Sequence, residues 1–144
     1  MLRSIGAVVL GIVVAIVVLM WLEVRRADQE RAGATRVLFI NPPPAELDDP
    51  AAMSEWVLRQ PARFFYLMIA MYFASGLAGG WVAGRLARRA RLAHGAVVGV
   101  LFTLAGIVNI VMLSHPMWAA AGSLVAQFLG PLAGARLSGP DQAV

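Results

Sequence analysis

Four long runs of apolar residues, separated by polar segments, form the main pattern of this chain. They cover roughly residues 4–22, 64–84, 92–113 and 117–135, and none of them contains Asp, Glu, Lys or Arg. A helix needs about 20 predominantly apolar residues to cross the hydrocarbon core of a bilayer. In lipid only helices and closed barrels satisfy their backbone hydrogen bonds, and runs that do not alternate with polar positions are not barrel strands. The pattern therefore predicts an all-α integral membrane four-helix bundle that forms a single membrane domain over residues 1–144.

The composition narrows the class of protein further. Sixty per cent of the residues are hydrophobic, 14% are charged and the mean hydropathy is +0.74. Soluble chains are closer to half apolar and a quarter charged, so a soluble globular domain and a disordered chain are both excluded. The absence of cysteine excludes a disulfide scaffold and any Cys-ligated metal centre. The lipid bilayer is the first partner that the composition predicts.

The first run predicts a membrane anchor rather than a secretory signal peptide. Its uncharged stretch between Arg3 and Glu23 is longer than the core of about 7–15 residues that is usual in a signal peptide. No pattern of small residues typical of a cleavage site directly follows it. We therefore count it among the four spans.

The basic residues predict an orientation. The net charge of +4 comes from twelve arginines and no lysine. The link over residues 85–91 carries four arginines and no acid, which predicts that this link is cytoplasmic and that both termini lie on the same side. Residues 23–61 and 114–116 are then outside, although the first of these loops also contains five arginines. The composition is typical of a bacterial genome rich in G and C, so we expect a bacterial inner membrane. Because the arginines flank apolar runs, nucleic acid is not predicted as a partner.

The long polar segment over residues 23–61 contains two local signals. Asn41–Pro44 holds three consecutive prolines, which predict an extended polyproline conformation. Asp49 followed by Pro50 predicts the N-terminus of a short helix, and Pro61 interrupts that helix. Its apolar face is expected to hold Met53, Trp56 and Val57. Two alternatives stay open, because the helix either lies on the membrane surface or folds over the end of the bundle as a cap.

Small residues recur at four-residue spacing in every run, and we call each such series a small-residue seam. Close packing of apolar helices in lipid depends on small residues that let backbones approach. The more specific seams are those of the second and fourth runs, which consist of Gly76, Gly80 and Gly84, and of Gly122, Ala126, Gly130 and Gly134. They predict helix packing within one chain, or packing within the chain with one seam left for another chain.

Several polar residues lie inside the runs, and five of them are candidates for function: Tyr72, Thr103, Asn109, Ser123 and Gln127. A rise of about 1.5 Å per residue places Gln127, Thr103 and Tyr72 near the midplane. A polar group without a partner is costly in hydrocarbon, so we expect hydrogen bonds across helices, with the Gln127 amide bonded to Thr103 or Tyr72. The alternative is a polar pathway through the bundle.

The sequence carries little chemistry beyond these groups. Tyrosine is the only ionisable residue type expected deep inside the spans, and no metalloprotease, P-loop, dinucleotide-binding or haem-attachment motif occurs. His94 and His115 are expected at opposite faces, so they do not share a metal ion in one chain. The sequence therefore predicts no enzyme activity, no metal and no cofactor.

Short motifs along most of the chain suggest a resemblance. They are Asn41–Pro44 followed by Asp49–Pro50, then Asn109, and finally an outer turn formed by His115, Pro116, Met117 and Trp118. In these features the chain resembles small, uncharacterised four-span bacterial inner-membrane proteins with a proline-rich first outer loop. The resemblance implies the same architecture, and no activity follows from it.

Two functional hypotheses follow from the sequence. The first is a non-enzymatic membrane protein that acts through helix association, as a small homo-oligomer or an accessory subunit of a larger membrane complex. The second is a passive channel or carrier for a small or apolar solute, lined by Tyr72, Thr103, Asn109 and Gln127. They differ in whether these side chains converge on a water-accessible space.

Overall fold

The computed structural model describes residues 2–31, 49–87 and 89–140, and within these ranges all regular structure is helical. The side chains described in the first helix are those of residues 4–26. The five helices are α1 (Leu2–Arg31), α2 (Pro50–Leu58), α3 (Ala62–Ala87), α4 (Arg91–Met112) and α5 (Met117–Leu137). The prediction of an all-α fold is confirmed. The polyproline segment predicted at Asn41–Pro44 lies outside the described residues.

Three of these helices are long and apolar enough to cross a membrane, namely Ser4–Arg26 within α1, and the whole of α3 and α4. The helix α5 is long enough but is not among the three. Its glycines and alanines, together with Gln127 and Pro131, replace the large aliphatic residues that make α4 strongly apolar. The fourth predicted span therefore has a weaker signal than the other three.

The helix α3 lies at the centre of the bundle. It packs most extensively on α5, then on α1 and α4, while α4 packs mainly on α5 and only slightly on α1. The helices α3 and α5 run parallel, and both are antiparallel to α1 and α4. We call the end of the bundle that carries α2 and the turn over residues 113–116 the cap end. The opposite end, which carries residues 85–91 and the C-terminus of α5, is called the link end.

The helix α2 covers the cap end. The Asp49 side chain accepts a hydrogen bond of 2.9 Å from the Ala51 amide and Pro50 starts the helix, so the predicted N-terminus is confirmed. Val57 is buried on a cluster formed by Phe64, Phe65, Met68 and Ala119. Burying a side chain of this size stabilises the packed state by roughly 1.5–3 kcal/mol. The Ser114 amide also donates to Ser54 Oγ at 3.2 Å. Of the two alternatives given for this helix, α2 therefore follows the second, in which it folds over the end of the bundle as a cap.

Two arginines close the link end. Arg91 Nη1 and Arg85 Nη1 donate to the same Ser138 carbonyl, at 2.7 and 3.3 Å. This carbonyl follows the C-terminus of α5, where the helix dipole favours positive charge. Ala90 adopts a left-handed conformation with φ of 49°, which reverses the chain before α4 and directs Arg91 towards α5.

Candidate functional site

Glycines bring the backbones of α3 and α5 into direct contact. A Cβ atom built on Gly76 would lie 2.7 Å from Pro131 Cδ, and one built on Gly80 would lie 2.5 Å from Pro131 Cα. On the opposite side of the contact, a Cβ on Gly130 would lie 2.6 Å from the Phe73 carbonyl oxygen. Real Cβ atoms essentially never approach other atoms below 3.0 Å, so only glycine fits at these positions.

The remaining residues of these two seams, and seam glycines of α1 and α4, also face neighbours within the chain. Ala126 is buried, and the glycines of the seams each lie against another helix, with partners as follows: Gly11 against Ala83, Gly84 against Ser138 and Ala135, Gly99 against Phe128, Gly122 against Ile69, and Gly134 against Leu77 and Trp81. Among the helical glycines that the structure describes, Gly6 alone has no neighbour within 4 Å. Packing within the chain therefore occupies the seams, and a surface for another chain has to lie elsewhere.

The hydrogen bond predicted from Gln127 to Thr103 or Tyr72 is absent. Gln127 and Ser123 are each only 2% exposed, yet Gln127 Oε1, Ser123 Oγ and Thr103 Oγ1 are buried without a hydrogen-bond partner. The prediction is wrong because the Gln127 side chain lies flat against Gly106, where a Cβ would come within 2.6 Å of Gln127 Cδ. Ser75 is satisfied within its own helix, since its hydroxyl donates to the Tyr72 carbonyl at 3.0 Å.

Pro131 adds a backbone group to this polar region. Proline has no amide hydrogen, so the Gln127 carbonyl, four residues earlier, does not receive the usual helical hydrogen bond from position 131. Such prolines are tolerated in membrane helices where neighbouring helices cover them. Here the pyrrolidine ring lies against Gly76, and the carbonyl of Pro131 lies between Gly80 and Gly95.

The four residues proposed to line a pathway do not share one environment, although Phe102, Gly106 and Asn109 lie on one broad face of α4. Gln127 reaches α4 from α5, beside Gly106. Tyr72 contacts Phe102 with ring centroids 6.3 Å apart, and Asn109 follows Phe102 by two helical turns on that same side of α4. Asn109 is exposed. Gln127 is 2% exposed, so these two amide side chains lie in different surroundings.

The predicted outer turn joins an aromatic cluster at the cap end. Phe65 is 1% exposed, and its ring lies 5.5 Å from Trp118, 5.1 Å from Phe64 and 6.4 Å from His115. His115 Nδ1 lies 2.6 Å from the Leu113 carbonyl oxygen, and Pro116 precedes the first residue of α5. The turn therefore positions α5 against α3 and α2, which is a structural role.

Two surface grooves were not predicted from the sequence. One lies at the link end between α1 and α4, has a volume of about 340 Å³ and is lined by apolar residues together with Ser4 and His94. The other lies towards the cap end between α1 and α3 and has a volume of about 380 Å³. Its lining residues are Trp21, Leu22, Arg25, Arg26, Leu67 and Met71, and we call it the α1–α3 groove. The sequence signal for it is the helical propensity that carries α1 beyond its apolar run.

Comparisons with known proteins find no match for this chain. No family model matches it, and neither a curated protein nor a solved structure does so. Function is therefore inferred from the geometry of the chain itself.

Proposed function

We propose that this chain is a non-enzymatic, multi-pass membrane protein that acts through helix association, as a small homo-oligomer or an accessory subunit of a larger membrane complex. In this proposal α1, α3, α4 and α5 all cross the bilayer of a bacterial inner membrane. Support comes from the three helices that qualify by length and composition, and from α5, which packs alongside α3 and α4.

The proposed orientation places the link end in the cytoplasm. Arg85, Arg89, Arg91 and Arg136 lie at this end, and Arg85, Arg89 and Arg136 form no ion pair with a carboxylate among the described side chains. At the cap end two of the arginines, Arg26 and Arg59, are paired with nearby glutamates. An arginine-rich short link is the feature that the positive-inside rule weights most.

The observation that carries the proposal is the exposure of the cap-end half of α4. In residues 104–112 only Gly106 is buried, whereas Val108 is 59% exposed and Val111 is 80% exposed. A helix that ends a compact bundle normally buries one continuous stripe along its length. The cap-end half of α4 has only a small part of that stripe, which leaves a wide surface for another helix.

Asn109 gives this surface a polar group. Its amide is exposed among aliphatic residues, and an amide facing hydrocarbon without a partner is unfavourable. Asparagine both donates and accepts hydrogen bonds, so two copies of Asn109 satisfy each other across a twofold axis. Hydrogen bonds of this kind between membrane helices contribute about 1 kcal/mol. This makes a second copy of the chain the simplest partner.

The alternative of conduction receives less support. A pathway needs its polar side chains around one continuous space, whereas Gln127 is 2% exposed within the bundle and Asn109 lies on its outer surface. Gln127 is also packed tightly against Gly106, which leaves no room beside it for a solute.

Disulfide cross-linking tests the proposal, because the natural chain contains no cysteine. Val108→Cys places a single thiol on the exposed half of α4, and Val9→Cys is a matched control on α1, where Val9 is 54% exposed. In native membranes under mild oxidation we expect a covalent dimer from the Val108 variant and little from the control. Asn109→Leu, added to the Val108 variant, should weaken the dimer about fivefold, which corresponds to about 1 kcal/mol.

Two results would contradict this association surface. The first is equal cross-linking of the two cysteine variants, which would indicate random collision. The second is a Val108 variant that stays monomeric and co-purifies with no other membrane protein.

A further inference from the structure

The helix α1 extends its charged turns along α3. Glu23 to Arg26 follow the apolar run directly, yet the helix continues to Arg31. Arg26 therefore lies beside α3, with its guanidinium carbon 5.4 Å from the Phe64 ring centroid. These turns form one wall of the α1–α3 groove, and Leu67 and Met71 of α3 form part of the other.

The groove combines an apolar floor with a cationic rim. Leu22, Leu67 and Met71 form the floor, and Arg25 and Arg26 lie at the edge nearer the cap end. Its volume of about 380 Å³ falls within the range of about 300–1,000 Å³ that is typical of sites for small ligands. An occupant that matches this surface has a hydrocarbon part and a negatively charged end.

The two arginines differ in the charge that is left for a ligand. Arg26 forms an ion pair of 2.7 Å with Glu23, which compensates its charge within the helix. Arg25 is exposed, stacks on the Trp21 ring at 5.2 Å and forms no ion pair with any carboxylate whose side chain is described. The aromatic ring fixes the guanidinium at the entrance of the groove without neutralising it.

We propose that the α1–α3 groove binds one anionic phospholipid of the surrounding bilayer. An acyl chain lies along Leu22, Leu67 and Met71, and the headgroup phosphate accepts hydrogen bonds from Arg25. The planar guanidinium presents paired donors that suit phosphate, and Trp21 is of the residue type that prefers the headgroup level of a membrane. The site is complete within one chain, so it does not depend on the proposed association.

Lipid-dependent thermal unfolding of the full chain in detergent tests the proposal. We expect micelles containing phosphatidylglycerol to raise the unfolding temperature more than micelles containing the same fraction of phosphatidylcholine. Arg25→Gln should weaken the phosphatidylglycerol effect, with an affinity loss of about tenfold for one charge-assisted interaction. Arg63→Gln removes another exposed arginine near the cap end, outside the groove, and should keep the full effect. Arg25→Lys keeps the positive charge and should retain part of the phosphatidylglycerol effect that Arg25→Gln loses.

A second pair of variants tests the floor of the groove. Leu67→Trp fills the groove and should reduce the number of phosphatidylglycerol adducts retained in native mass spectrometry, whereas Leu104→Trp, on an exposed part of α4, should not. Equal stabilisation of the natural chain by both lipids, or an equal loss in the Arg25 and Arg63 variants, would overturn the proposal. If Leu67→Trp fails to fold, the comparison of the two arginine variants decides the question.

Discussion

Replacing Gly80 with alanine tests the contact between α3 and α5. The new Cβ would lie 2.5 Å from the carbonyl carbon and the Cα of Pro131 and would overlap the carbonyl oxygen of the same residue. These are backbone atoms, so no side-chain rotation relieves the overlap. Ordinary van der Waals contact begins at 3.4 Å, which means that the two helices have to separate by about 1 Å.

The expected loss of unfolding free energy depends on how far this contact extends along the two helices. Separating α3 from α5 at Gly80 also loosens the packing at Gly76 and Gly130, because all three glycines lie along one interface. Overpacking of a well-packed interior typically costs about 1–3 kcal/mol, and we expect Gly80→Ala near the upper end of this range. Gly80→Leu should cost more, since a larger side chain meets the same backbone.

Gly6→Ala is the matched control, and it predicts a change of opposite sign. Gly6 lies in α1 with no heavy atom within 4 Å of a built Cβ. In an open helical position, replacing glycine with alanine stabilises by roughly 0.5–1 kcal/mol. Unfolding in detergent micelles by titration with sodium dodecyl sulfate, followed by circular dichroism, measures both variants. If Gly80→Ala is as stable as Gly6→Ala, the backbone contact described for α3 and α5 does not exist.

Two further predictions concern the midplane and the orientation. Gln127→Met replaces a buried oxygen that lacks a partner by an apolar side chain of similar length, so thermal stability in detergent should stay unchanged or rise. A loss above about 1 kcal/mol would reveal a hydrogen bond. Gln127→Cys should not react with a small soluble thiol reagent, and reaction would favour a conducting pathway. Single cysteines at Ala34 and Ala90 should differ in intact cells, with an impermeant maleimide labelling position 34 only. The reverse pattern would reverse the proposed orientation.

The sequence predicts those parts of the fold that local signals determine. Uninterrupted apolar runs mark the long helices, because an uncharged stretch of this length has few other stable states in lipid. The start of α2 is equally local, since Asp49 and Pro50 act on the first turn of their own helix. The choice of α2 as a cap over the bundle was not predictable, because Val57 finds its burial site on residues of α3 and α5.

Depth is predictable from the sequence, whereas the direction of a side chain around its helix depends on its neighbours. Counting residues places Gln127, Thr103 and Tyr72 at similar depth, which suggested a hydrogen bond. In the bundle, Gln127 faces Gly106, while Tyr72 meets Phe102 one helical turn away on α4. Similar depth is therefore necessary for contact and does not imply it.

The α1–α3 groove was missed for a related reason. The charged residues from Glu23 onward mark the end of the apolar run, and their helical propensity predicts an extension of the first helix into solvent. A charge ends the hydrocarbon-facing stretch without ending the helix, since glutamate and arginine are both good helix formers. The helix continues to Arg31 as predicted, but it runs along α3, and this places Arg25 and Arg26 at the rim of a groove rather than in open solvent.

The contact between α4 and α5 changes along the helix, from the link end of the bundle to the cap end. Near the link end, Gly95 and Gly99 meet the backbone of α5, with Cβ atoms that would lie 2.9 Å from the Pro131 oxygen and 3.0 Å from the Phe128 oxygen. Towards the cap end, Gly106 meets only the side chain of Gln127. The absence of a side chain at Gly106 makes room for the buried Gln127 side chain, so backbone contact holds α4 to α5 near the link end and a side chain fills the contact towards the cap end.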